Sequence, residues 1–135
     1  MRYIFVGERQ SPKAFAIGAT WQNGRMAART LHNALRAVGL DPNAQEYVNL
    51  WQEPGLGAPQ ASPCPRVLAH LRALAGRQDV CVVAMGALVQ QALTQARVPF
   101  LPMVHPAARG RIRRRERFIA HVRATLFPVS GSDPE

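Results

Sequence analysis

The run from Asp79 to Met85 constrains the fold of this chain more than any other stretch. Val80, Cys81, Val82 and Val83 are consecutive and apolar, so the segment has no polar face to turn to water. A strand of that kind belongs in the middle of a parallel sheet with helices on both faces. Gly86 then turns the chain into a helical pattern from Ala87 to about Ala96.

The rest of the chain alternates in the same way. Tyr3 to Val6 reads as a first strand, ended by Gly7. Arg25 to Val38 has helical spacing at Met26, Leu31, Ala34, Leu35 and Val38; Gly39 supplies a left-handed stop, and Pro42 forbids resumption. Glu46 to Trp51 is a second strand, and Pro54 to Pro65 a Pro- and Gly-rich loop. Ser62 and Pro63 can start a helix through Ala75. Pro99 to Val104 is a fourth strand whose prolines limit its ladder bonds. Arg111 to Leu126 is a closing helix, and Ser130 to Glu135 reads as a frayed tail. The expected architecture is therefore a three-layer α/β/α domain around a mainly parallel four-stranded sheet. A chain of 135 residues fits one such domain and can bury its core without disulfides.

Charge and cysteine usage narrow the function classes. With 17 basic and 8 acidic residues the net charge is +9, and Lys13 is the only lysine. Arginine grips phosphate in a bidentate fashion, so nucleic acid is a leading partner. Two isolated cysteines, Cys64 and Cys81, support neither a disulfide framework nor a metal or iron–sulphur site. The N-terminus enters a strand pattern at once and no apolar run is long enough to span a bilayer. These features lead us to expect a monomer in the cytoplasm with no membrane association, metal or cofactor.

In open parallel sheets ligands bind beyond the carboxyl ends of the strands. Three polar clusters fall there: Gly7-Glu8, Asn49 and His105-Pro106. Glu8 could orient a water or stabilise positive charge on a sugar; read by itself it is an ordinary solvated loop glutamate. Asn49 carries a donor and an acceptor side by side, as uracil does in reverse, although strand-end asparagines commonly bond to nearby backbone. His105 could donate to a departing base anion, or serve as a structural loop histidine. Phe15 and Trp21 could stack on an extruded base, with core packing the plainer role, more so for Phe15. His32, His70 and His121 sit in helix patterns at no ligand spacing and suggest no function. Arg109, Arg111, Arg113, Arg114, Arg115 and Arg117 form a dense basic run around Ile112. Ile112, Ile119, Val122 and Leu126 share one face of the helix that follows, so these arginines lie mostly away from the core, where they can contact phosphate or form an ordinary solvated face.

Taken in order, strand–Gly-Glu, aromatic segment, strand–Asn and strand–His-Pro before an Arg-bearing loop, the chain resembles the uracil-DNA glycosylase superfamily. It most resembles the bacterial and archaeal iron–sulphur branch, whose motifs read Gly-Glu-Ala-Pro-Gly and His-Pro-Ser. The resemblance runs from Tyr3 to about Leu126 and includes Val82-Val83-Ala84-Met85-Gly86-Ala87 as the central strand and turn. It implies a monofunctional glycosylase that flips uracil or a related base from single- or double-stranded DNA and leaves an abasic site. By position, it assigns Glu8 to the attacking water and His105 to the leaving anion. The base would be bound by Asn49, with Trp21 or Phe15 stacking and Gly7 allowing close approach. DNA contacts would come from Arg9, Ala108, Arg109, Arg111, Arg113 and Arg114. The first motif here reads Gly-Glu-Arg-Gln-Ser, bulkier than the family's, and the cluster-binding cysteines are absent. Two alternatives stand beside this reading: a glycosylase fold that binds DNA or a partner without turnover, and a small α/β protein gripping free nucleotides.

Overall fold

A computed structural model describes residues 1–108 and 114–128. Four strands, β1 (Arg2–Gly7), β2 (Glu46–Asn49), β3 (Val80–Met85) and β4 (Leu101–Met103), form one sheet in the order β2-β1-β3-β4. Every neighbouring pair is parallel. Five helices connect or follow them: α1 (Pro12–Ile17), α2 (Ala27–Ala37), α3 (Pro65–Ala75), α4 (Ala87–Gln95) and α5 (Arg115–Leu126). The three-layer α/β class expected from the alternation is the observed one.

Period-two alternation decides which residue faces which layer. Tyr3 and Phe5 of β1, Tyr47 of β2, Val83 and Met85 of β3 and Met103 of β4 join Leu31, Leu35, Phe118, Val122 and Leu126 in one core, under α2 and α5. Ile4 and Val6, with Val80, Val82 and Ala84, join Leu71, Val89 and Leu93 in the other, under α3 and α4. β1 and β3 are thus apolar on both faces because both faces are covered. Phe5 is fully buried, and burial of a side chain of that size contributes on the order of 2–3 kcal/mol.

Several boundaries differ from the sequence reading, each for a local reason. β4 is three residues long, since Pro102 has no N–H for a ladder and Pro99 precedes the paired stretch. α3 starts at Pro65, not at Ser62: Cys64 precedes a proline and adopts φ −59, ψ 118, outside the helical region. α2 starts at Ala27, because Met26 has φ 56 and cannot be helical. Met26 is accordingly exposed, off the apolar face on which the spacing placed it. The short α1 is absent from the sequence reading, although its signals are present. The Ser11 hydroxyl accepts from Ala14 N–H, Pro12 opens the helix and Gly18 closes it at φ 70. It buries no residue, so it leaves no apolar periodicity in the sequence. A 3-10 turn at Pro42–Ala44 follows the point where resumption was excluded. No helix among the described residues is long and apolar enough to cross a membrane.

The chain leaving β1 crosses to β2 on one side, while the chain leaving β3 crosses to β4 on the other. The carboxyl ends of β1 and β3 therefore flank a topological switch point, where loops diverge and leave a crevice. Gly7, Asn49 and His105 continue the alternation of Phe5, Tyr47 and Met103, so all three fall on the α2/α5 side of that edge.

Candidate functional site

Beyond the sheet edge the exits of β1 and β2 stay side by side. Leu50 N–H donates to Gly7 O (3.0 Å), Trp51 N–H to Glu8 O (3.0 Å) and Gly55 N–H to Gln10 O (2.9 Å). The Gln10 amide reaches across to Ala19 O at 2.6 Å and fixes the segment that carries Trp21. The result is a cavity of about 250 Å³ lined by residues from the loops after β1, β2 and β4, Trp21, Asn49 and His105 among them. Its size is slightly below that of drug-sized ligand pockets and suits a small planar ring.

Trp21 Nε1–H donates to Asn49 Oδ1 at 2.8 Å. The pair sits directly over Gly7: a Cβ there would lie 2.7 Å from both atoms. Gly7 is therefore required by this contact, and its backbone needs no unusual φ. The edge of the Trp21 ring system meets the His105 imidazole, with centroids 5.7 Å apart and planes at 64°.

The protonation state of His105 follows from its neighbours. Ala107 N–H donates to Nδ1 at 3.0 Å, so Nδ1 is the acceptor and the neutral ring carries its proton on Nε2. Burial holds the imidazole below its ordinary pKa of 6.5, which keeps it neutral at pH 7. His105 is thus a neutral Nε2–H donor. Arg9 and Arg25 also line the cavity, and among the described residues none that lines it is acidic. The surroundings favour electron-rich or developing negative oxygen over a cation.

Most other residues singled out from the sequence lie elsewhere. Glu8 follows Gly7 in the alternation and does not line the cavity. Its carboxylate makes no hydrogen bond or ion pair among the described residues, and burial raises its pKa, with the nearby Arg9 charge opposing. Phe15 is 64% exposed, so it neither packs in the core nor lines the cavity. Arg9 borders the cavity, but its guanidinium is engaged: its Nη2 donates to Leu56 O (2.8 Å) and Gly57 O (3.0 Å), closing the loop after β2. Its Nε is buried without a partner. Ala108 N–H donates to His105 O at 2.9 Å, and Ala108 lines a second, more open depression of about 570 Å³ that His105 also borders. Arg114 is exposed at the start of α5 together with Arg115 and Arg117. Arg109, Arg111 and Arg113 lie outside the described residues. Among the described residues no three His, Cys, Asp or Glu side chains gather closely enough to hold a metal ion.

Two histidines that suggested no function in the sequence turn out to hold this site. His32 is buried, stacks near Tyr47 and donates from Nε2 to Trp21 O at 2.7 Å. Burial keeps it neutral by lowering its pKa. His121 accepts the Val104 N–H at Nε2 (2.9 Å), one residue before His105. Gln90 donates to both Ala84 O (3.2 Å) and Met103 O (3.1 Å), tying the ends of β3 and β4 together. The signal for His32 lay in its spacing, since it shares the buried stripe of Ala28, Leu31 and Leu35. His121 likewise sits beside Phe118 and Val122. A polar group on a buried stripe must find a partner.

No protein-family model matches the chain, and no curated protein is similar to it at a significant level.

Proposed function

We propose that this chain is a DNA glycosylase that takes uracil or a closely related base into the Trp21–Asn49–His105 cavity and hydrolyses its N-glycosidic bond. The observation that carries the reading is the convergence of these three side chains in one cavity, with His105 a neutral Nε2–H donor whose Nδ1 accepts from Ala107 N–H. The Asn49 amide offers an N–H and an oxygen lone pair to the O4 and N3–H edge of the base. Trp21 supplies an aromatic wall for an extruded ring. The bond between the sugar C1′ and base N1 breaks with its electron pair passing to the base. His105 Nε2–H stabilises the charge that collects on the base oxygen, as a preorganised donor does for an oxyanion. Water then adds to C1′ and loses a proton to solvent, leaving an abasic sugar. Glu8, which does not line the cavity, is tied to that water by the resemblance alone. The exposed arginines at the head of α5 supply phosphate contacts.

One observation favours a second reading. Glu8 lies outside the cavity, an arrangement suited to a pocket that binds a base without turnover. Incubating uracil-containing oligonucleotides, single- and double-stranded, with excess protein and then alkali separates the two. Strand cleavage at uracil, lost in Asn49→Asp, supports the glycosylase. That substitution removes the donor to O4, a discrimination on the order of 10⁴–10⁵ where a site is built to bond its substrate. Base binding with no cleavage on either substrate refutes hydrolysis and leaves the binding module.

A further inference from the structure

An indole N–H can donate and cannot accept. The Asn49 side-chain atom 2.8 Å from Trp21 Nε1 is therefore the carbonyl oxygen. A half-turn of the amide would set Nδ2–H against Nε1–H, two donors face to face. Gly7 beneath leaves both groups room to meet, since a Cβ there would collide with each. Trp21 is itself held from behind by His32 on its carbonyl (2.7 Å), and the neighbouring Gln22 side chain donates to Tyr47 O (3.0 Å). Asn49 Nδ2 has no protein partner among the described residues. The amide therefore presents its free Nδ2–H donors and one remaining Oδ1 lone pair in a fixed order.

That order is what distinguishes two pyrimidines. Uracil places a carbonyl beside a ring N–H; cytosine places an amino group beside an unprotonated ring nitrogen. An asparagine free to flip can serve either, because the flip exchanges donor and acceptor. We propose that Trp21 is a specificity-determining residue of this cavity: by locking the Asn49 amide it admits the uracil pattern and rejects the cytosine pattern. This rests on the proposed base-binding reading and adds to it the residue that sets the code.

The test is calorimetric titration of the full-length chain with free uracil and free cytosine, for wild type, Trp21→Phe and Gly7→Ala. Trp21→Phe keeps an aromatic ring and removes the N–H that orients Asn49. Gly7→Ala leaves both side chains intact and drives a methyl group between them. In each variant the uracil-to-cytosine affinity ratio should fall by about 10- to 100-fold, the usual effect of releasing one buried donor–acceptor constraint, with cytosine affinity rising. A folded variant of either kind that keeps the wild-type ratio overturns the assignment of Trp21. If wild type binds neither base, the base-binding reading itself fails. A measurement that needs no variant guards against unfolded proteins. On adding uracil to wild type, the Asn49 Nδ2 proton resonances should shift while the Trp21 indole proton stays protected from exchange. Loss of that protection on binding would also overturn the proposal.

Discussion

Replacing His32 by leucine tests how far a single buried hydrogen bond supports the site. Leucine is of comparable volume, so the change removes chemistry more than bulk. The Trp21 carbonyl now accepts from His32 Nε2 at 2.7 Å and from no other group among the described residues. Leaving this part-buried carbonyl unsatisfied costs up to about 1–3 kcal/mol. Losing the imidazole against Tyr47, at 5.4 Å between centroids, costs about 0.5–1.5 kcal/mol more. We expect a destabilisation of roughly 1.5–4.5 kcal/mol, read from urea unfolding followed by circular dichroism. His70→Leu is the control. His70 pairs with Glu46 at 2.6 Å, but its side chain is 46% exposed, and exposed pairs contribute about 0–1 kcal/mol. The pH dependence has a definite sign. Burial lowers the pKa of His32, and also of His105 and His121, below the ordinary 6.5. The unfolded chain therefore takes up protons first as the pH falls. Stability from these groups is fully present above pH 6.5 and is lost as pH drops toward their lowered folded values. The His32→Leu curve should be flatter than wild type across that window. Equal stabilities for His32→Leu and His70→Leu, or identical pH slopes for His32→Leu and wild type, would refute the reasoning.

Three further outcomes follow from the geometry. His121→Leu removes the acceptor of Val104 N–H, so uracil release should slow by about 10-fold while urea unfolding stays cooperative; an unchanged single-turnover rate would confine His121 to packing. Replacing Arg114, Arg115 and Arg117 by alanine should reduce the salt dependence of DNA binding, by about 0.9 in log–log slope for each phosphate that is no longer neutralised. Fluorescence anisotropy across a salt series measures it, and an unchanged slope returns these residues to a solvated helix face. Glu8→Gln should lower base release by about 10²-fold or more if the carboxylate serves the water, with free-uracil affinity intact; wild-type turnover would remove Glu8 from the chemistry.

The parallel sheet was legible because Val80–Val83 and Tyr3–Val6 lack a polar face, and that pattern has few solutions. The sheet edge was legible for the same reason: glycine, asparagine and histidine interrupt apolar strands at their carboxyl ends. What escaped was whatever depends on contacts between distant segments. The engagement of Asn49 Oδ1 by Trp21 spans 28 residues, and no local spacing encodes it. Arg9 looked like a free cation beside a motif, yet Leu56 and Gly57, 47 and 48 residues on, claim its guanidinium. Phe15 looked like a core residue or a stacking ring because aromatic side chains usually are, whereas the surface helix α1 turns it outward. His32 and His121 looked inert because ligand spacing was the criterion; the informative feature was a polar residue on a buried helical stripe. The alternation that aligns Gly7, Asn49 and His105 also places Glu8 on the opposite side, a consequence of strand geometry that motif order alone does not carry.

The most direct test of the proposed chemistry is single-turnover release of uracil from an oligonucleotide by wild type and by His105→Ala. The His105 imidazole is a neutral donor held by Ala107 N–H, and its loss should leave the fold intact. Wild type should release uracil, and His105→Ala should do so about 10²–10³-fold more slowly, the usual effect of removing one donor to a developing oxyanion. Equal rates for the two proteins, or no release by wild type at any protein concentration, would contradict it.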